Sequence, residues 1–266
     1  MYFFYGVFVR SIMYPELIKI GPLTLHTYGV LVASGFLLAL SLAIRQAKRQ
    51  GIPHALIADI GFYILVGAIV GSRGLYVLMN LSYYLRNPFD IFKVWEGGLV
   101  FYGGLIFVIP LVIWYVKRKG LDLWAVADIM APSLAVGHAI GRLGCFSAGC
   151  CYGAPSELPW AVTFTDPKSL APQWIKLHPT QLYESIGEFA IFLVLISIRT
   201  RQSFKGELFW LYGVFYSALR FTVEFWRGDI ERGFIMSGLS VSQALSVILF
   251  TVSAIMFIRG IKRGVN

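Results

Sequence analysis

Five arginines stand at or inside the ends of long apolar runs: Arg73, Arg142, Arg220, Arg227 and, less deeply, Arg232. A charged group in the hydrocarbon region of a bilayer costs about 2.5–3.5 kcal/mol on insertion scales, so a charge retained there is a candidate for function. None of the five is Lys. The planar fork of Arg suits bidentate recognition of phosphate or carboxylate, and Arg keeps its charge when partly buried. Arg220, Glu224 and Arg227 follow i, i+4, i+7 spacing in ALRFTVEFWRGD, which predicts one shared helical face. Two chemistries fit that face: an intrahelical ladder of ion pairs, or an arginine that holds a ligand anion with Glu224 as its orienter. Ser72, Arg73, Tyr76 and Asn80 share a face in the same way, as do Gln181, Glu184 and Glu188 after His178-Pro179. The second set reads as a polar seam between helices, and for the first a seam stands beside a ligand-binding role for Arg73.

The stretch GRLGCFSAGCCYG, residues 141–153, joins Arg142 to all three cysteines of the chain, Cys145, Cys150 and Cys151. Structural zinc sites usually show closely paired Cys ligands and a second cluster. Here the spacing offers three sulfurs and a distant His178, so no metal and no cofactor is expected. A disulfide from Cys145 to Cys150 or Cys151, with one thiol left over, stays open on an oxidising side of a membrane. So does small apolar filler in a Gly-rich turn.

The elements that must carry these residues follow from composition. The 266 residues are 57% hydrophobic and 14% charged, with mean hydropathy +0.69. An ordinary soluble domain is about 25% charged, so the chain lacks the polar surface that water demands. It reads as an all-α membrane protein, a class in which nucleic-acid binding drops out although the net charge is +9. Seven segments approach the roughly 20 apolar residues a spanning helix needs: 24–44, 56–79, 99–116, 123–141, 180–198, 207–225 and 239–258. Twelve of the 23 basic residues fall at 45–49, 117–119, 199–205 and 259–263. By the positive-inside rule those four ends are cytoplasmic, which places the N-terminus outside and the C-terminus in the cytoplasm. An odd number of spans follows, and seven fits.

One integral membrane domain over 1–266 is expected, with extracytoplasmic excursions at about 80–98 and 145–178 forming a small head. Residues 1–20 lack the basic start and cleavage site of a signal peptide and read as an aromatic-rich segment at the outer interface. The remaining arginines gather at the outer boundary. A pocket there suits an amphiphile with an anionic head and apolar tails, whereas a transporter more naturally sets its charged site at the midplane.

In chain order, IGPLTLHTYGVLVASGF, GSRGLYV, WEGGLVFYGG, HAIGRLGCF, HPTQLYES, RFTVEFWRGD and LSVSQALS resemble the motifs of the prolipoprotein diacylglyceryl transferase family. The resemblance implies a seven-span bacterial inner-membrane enzyme acting near the outer leaflet. Its partners would be membrane lipid, namely phosphatidylglycerol, and a preprolipoprotein signal peptide whose lipobox Cys becomes a thioether as glycerol phosphate leaves. Carried onto this chain, it implies Arg142 at the lipid head group, Arg220 at the leaving phosphate or thiolate, Glu224 as orienter, and Tyr28, Arg73, Gly103, Gly104, His178 and Arg227 around the substrate. Tyr102 stands where the family commonly has a histidine proposed as base. A tyrosine with pKa about 10 is a poor base at neutral pH but still hydrogen-bonds. Cys145 and Cys150 replace an Asn and an acidic residue of the family's signature. A catalytically divergent paralogue that binds anionic phospholipid, or a membrane thiol-redox protein, are the other readings.

Overall fold

The computed structural model describes residues 14–21, 23–229, 233–234 and 239–264. Arg232 and the aromatic segment 1–13 lie outside them. Helices dominate: α1 Thr27–Arg49, α2 His54–Met79, a short α3 Leu81–Arg86, α4 Phe101–Arg118, α5 Leu123–Ala148, α6 Thr180–Ile198, α7 Glu207–Val223 and α8 Val241–Gly264. Six of them, α1, α2, α4, α5, α6 and α8, are long and apolar enough to cross a membrane. Their outward faces keep large apolar side chains in the open, among them Phe62 (61% exposed), Ile106 (68%) and Ile186 (70%). Such faces are costly in water and at home in lipid. The segment expected to span at 207–225 is α7, 17 residues long and continued by one 3-10 turn, Glu224–Trp226.

The structure departs from an all-helical expectation at two small antiparallel hairpins. Strands β1 Glu16–Ile20 and β2 Leu23–His26 pair with Glu16 opposite His26; β3 Val162–Thr163 pairs with β4 Lys176–Leu177. Short ladders of this kind pair main-chain polar groups in segments that no helix organises.

The chain divides into two compact units, one formed by 1–42 and 127–266, the other by 43–126. In the first unit, Ala131 and Ala135 of α5 pack with Ile191 and Leu195 of α6 and Leu208 of α7. The excursion after α5 packs Val162, Phe164, Ala171 and Leu177 against Phe146 of that helix, and Lys168 ties it to Glu16 of β1. Gly35 of α1 meets Gly137 and Ile140 of α5 so closely that a Cβ there would lie 3.0 Å from the Gly137 carbonyl oxygen. The connection from α6 to α7 is held by Asp128, whose carboxylate accepts from Gly206 N at 2.6 Å and Phe209 N at 3.0 Å.

In the second unit α2 and α4 pack through glycine. A Cβ on Gly71 would come within 2.5 Å of the Gly103 carbonyl oxygen, and one on Gly104 within 2.6 Å of Ser72 Oγ. Small residues at such a seam let helix backbones approach. Gly103 and Gly104, expected around the substrate, therefore serve this contact. Arg73 is also structural: Nε donates to Ile91 O (2.9 Å), Nη2 to Asp90 O (2.6 Å), and Nη1 to Gly97 O (2.8 Å) and Gly98 O (3.2 Å). Its guanidinium also faces the Tyr76 and Tyr84 rings at 5.6 and 5.4 Å. A buried cation so committed organises the 80–98 excursion, because it supplies the donors that a loop's main-chain carbonyls lack.

Candidate active site

Three helices of the first unit deliver the polar groups. On α5, His138, Arg142 and Cys145 follow i, i+4, i+7 spacing and share a face. The helix runs to Ala148, so the GRLG signature, expected as a turn beyond a span ending at 141, is helical. Gly144 permits this continuation beside α1, since a Cβ there would touch the Tyr28 ring and carbonyl at 3.3 Å. On α6, Gln181, Glu184, Ser185 and Glu188 are all buried, and Ser185 Oγ donates to Ala139 O at 2.8 Å, fixing α6 against α5. On α7, Arg220 and Glu224 close the set.

These side chains form one continuous polar chain. Glu188 Oε1 lies 2.8 Å from His138 Nδ1, and Arg142 Nε donates to His138 Nε2 at 3.1 Å. Arg142 Nε also pairs with Glu184 Oε2. Glu184 Oε1 in turn accepts from Arg220 Nη1 at 2.9 Å, and Arg220 Nη2 reaches Glu224 Oε2 at 2.8 Å and Ser242 Oγ of α8 at 3.0 Å. Side-chain exposure is 14% for Arg142, 13% for Arg220 and 3% for Glu184, so the charges persist only because each has a partner.

Arg227 arrives by another route. The i+7 reading places it on the face of Arg220, but the helix ends at Val223 and Arg227 is extended, with φ −70° and ψ 139°. Residues 226–228 instead pair with 152–154: Ala154 N donates to Trp226 O at 2.8 Å and Gly228 N to Tyr152 O at 3.1 Å. Arg227 still lies 3.8 Å from Glu184 Oε1, while its fork holds Asp229 at 2.7 and 2.5 Å.

The cysteines converge beside Arg142. Their three Sγ atoms lie within 4.8 Å of one another, all are free thiols, and all are half-buried. Gly149 (φ +75°) and Cys151 (φ +60°) fold the chain back over the end of α5. Cys151 is a non-glycine residue in the left-handed region, a conformation that needs support from its surroundings. That support comes from α6: Gln181 Nε2 donates to Cys150 O at 2.7 Å and Thr180 Oγ1 to Cys151 O at 2.8 Å.

His178 sits at the mouth of α6 in an aromatic cavity of about 380 Å³ lined by Leu158, Trp160, His178, Tyr183 and Trp226. Trp160 Nε1 donates to Tyr183 Oη at 2.8 Å, and that hydroxyl lies 3.2 Å from His178 Nδ1. A second groove of about 290 Å³, lined by Ser217, Ala218, Phe221, Thr222, Ser246, Val247 and Phe250, lies between α7 and α8.

The structure thus unites Arg142, Arg220, Glu224 and Arg227, and sets Tyr28 against Gly144 beside them. Tyr102, Gly103, Gly104 and Arg73 belong to the second unit, where Tyr102 is 49% exposed at the start of α4. Sequence reasoning read Glu184 as one position of a polar seam and missed it as the junction. The available signal was a pair of carboxylates one turn apart within an apolar span, groups that stay buried there only when paired.

A family model for prolipoprotein diacylglyceryl transferase matches residues 15–259. A phosphatidylglycerol–prolipoprotein diacylglyceryl transferase of Geobacter sulfurreducens is 36% identical over 257 residues, covering 95% of this chain and 97% of the relative. The proteins of the same name from Clostridium tetani and Bacillus velezensis are 37% and 34% identical, over 94% and 92% of this chain and 98% and 91% of theirs.

Proposed function

The chain belongs to the prolipoprotein diacylglyceryl transferase family, and from that premise we propose that it transfers the diacylglyceryl group of phosphatidylglycerol to the lipobox cysteine of preprolipoproteins. The observation that carries the reading is the meeting of Arg142 and Arg220 on the buried Glu184, in a chain whose family match extends over 15–259.

The chemistry is displacement at a glycerol carbon. A thiolate attacks, the carbon–oxygen bond breaks toward the phosphate, and glycerol phosphate leaves. Negative charge moves from sulfur to phosphate oxygen, and preorganised cations in a water-poor site are suited to follow it. A guanidinium has five N–H donors, so an arginine held by Glu184 along one edge has another edge for a phosphate. Arg142 is assigned to the lipid head group and Arg220 to the leaving phosphate, with Glu224 orienting Arg220. Tyr28 and Tyr102 are hydrogen-bonding contacts, and Arg227 adds positive charge. The groove between α7 and α8 begins one turn from Arg220 and has the apolar walls an acyl chain needs. The His178 cavity suits the apolar part of a peptide.

A membrane orientation follows from the basic ends of α1, α4, α6 and α8, which the positive-inside rule puts in the cytoplasm. With α7 as a seventh crossing, the N-terminus is outside and the arginine cluster faces the outer leaflet of the bacterial inner membrane. In that orientation the excursions at 80–98 and 145–178 each lie on the extracytoplasmic side.

The test is reconstitution in vesicles containing phosphatidylglycerol with a lipobox peptide, read by the mass added to its cysteine. The intact protein is expected to add one diacylglyceryl group and Arg142→Ala to add none. Tight binding of phosphatidylglycerol without any transfer would support the non-catalytic paralogue instead.

A further inference from the structure

We propose that Cys145, Cys150 and Cys151 bind a zinc ion whose fourth position takes up the acceptor cysteine as a thiolate. The proposal rests on the transferase reading and adds to it the group that removes the thiol proton.

The geometry fits a three-sulfur face. With Zn–S bonds of about 2.3 Å, three ligands of a tetrahedron lie about 3.8 Å apart; here the three Sγ atoms already lie within 4.8 Å, so small χ1 adjustments close them on an ion. Among the described residues the cluster contains no fourth His, Cys, Asp or Glu. Three protein ligands and one open position is the arrangement of catalytic zinc, whereas structural sites are closed by four.

The surroundings are built for the cluster. Adjacent residues seldom point to one spot, and Cys150 and Cys151 do so because Gly149 and Cys151 both adopt positive φ. The carbonyls of that strained turn are pinned by Gln181 and Thr180, the kind of outer support that holds metal ligands in place. Three thiolates on Zn²⁺ leave one negative charge, and a fourth makes two. Arg142, with Nη1 3.9 Å from Cys145 Sγ, and the rest of the arginine cluster offset that charge. An Asn or carboxylate at 145 or 150, as in the family's usual pattern, would supply harder ligands, so the cysteines change the site's preference toward a thiophilic ion.

The chemistry supplies what Tyr102 does not. A free thiol has pKa about 8.5, and a thiol coordinated to a cation such as Zn²⁺ is deprotonated outright. The acceptor S–H bond breaks as sulfur binds zinc, and the proton passes to solvent. The sulfur electron pair then forms the carbon–sulfur bond. The carbon–oxygen pair leaves on the phosphate of glycerol phosphate, and the neutral thioether, a weak ligand, departs from zinc. No oxidant or reductant is involved.

The experiment uses the full chain purified in detergent with reductant and no chelator. One zinc per chain is expected by elemental analysis, falling at least tenfold in Cys145→Ser, Cys150→Ser and Cys151→Ser. Cobalt-substituted wild-type protein, which does not depend on a variant folding, should show thiolate-to-cobalt absorption that grows with a lipobox peptide and stays constant with its Cys→Ser analogue. Absence of zinc from the folded protein, or a disulfide between two of the three cysteines in the active preparation, overturns the proposal. Undiminished transfer after zinc removal also overturns it while the transferase reading stands. A zinc-loaded, peptide-responsive protein that transfers nothing removes the transferase reading and leaves the metal site supported.

Discussion

Glu184 of α6 accepts from Arg220 of α7 at 2.9 Å, across 36 residues of sequence, with its side chain 3% exposed. The same carboxylate takes Arg142 of α5 through its other oxygen. Two arginines from two helices are thereby oriented by one buried acid. Replacing Glu184 with Ala leaves both cations short of a partner, and breaking a buried pair in this way costs about 3–5 kcal/mol. Glu184→Gln keeps an acceptor for one arginine and should lose less. Thermal unfolding in detergent, with transfer measured below the transition, gives the order wild type, Gln, Ala; equal stability of all three rules out the junction.

Arg142→Ala should lower kcat/KM by at least 10²–10³, the scale lost when one preorganised donor to a developing oxyanion is removed. Arg142→Lys keeps the charge but loses the guanidinium Nε that meets both His138 and Glu184, so it should not restore activity. Steady-state transfer by the two variants, with insertion verified by protease protection, checks this; a fully active Lys variant would show that charge alone suffices.

Tyr102→Phe separates a hydrogen bond from a base. Loss of a general base costs about 10²–10⁴ in rate, whereas a neutral hydrogen bond contributes about 0.5–1.5 kcal/mol, near tenfold. A fall within tenfold, with an unchanged pH–rate profile, is expected for the half-exposed Tyr102. A 10³-fold loss would make its hydroxyl the proton acceptor.

The α2–α4 seam predicts a contrast between two glycines of one helix. A side chain on Gly71 meets the Gly103 backbone, while one on Gly74 meets nothing within 4 Å. Gly71→Leu should destabilise by at least the 1–3 kcal/mol typical of overpacking, and Gly74→Leu should leave the midpoint near wild type. Differential scanning fluorimetry on the pair decides; equal midpoints dispose of the seam.

Asp128 offers a test away from the chemistry. Asp128→Ala leaves the buried Gly206 N–H without its acceptor, a loss of about 1–3 kcal/mol. Stability should fall while the KM for the peptide stays the same, measured at a temperature where the variant is folded.

Much of this architecture was legible in the chain. Hydropathy, the four basic helix ends and the Arg–Glu spacing of 220 and 224 are local properties, and water or lipid reads them residue by residue. They determined the membrane class, the helix positions and which arginines deserved attention. What only the tertiary structure decided was who meets whom. Glu184 reads as one polar position in a seam until α5 and α7 bring Arg142 and Arg220 to its two oxygens. Arg73 resembles a ligand-binding cation until its partners prove to be main-chain carbonyls, which every residue carries and no motif announces. The three cysteines look ill-spaced for a shared site until positive φ at Gly149 and Cys151 turns them inward. Burial makes an unpaired charge or donor too costly to keep, so the pairing of helix faces, which no local pattern specifies, determines what each polar residue does.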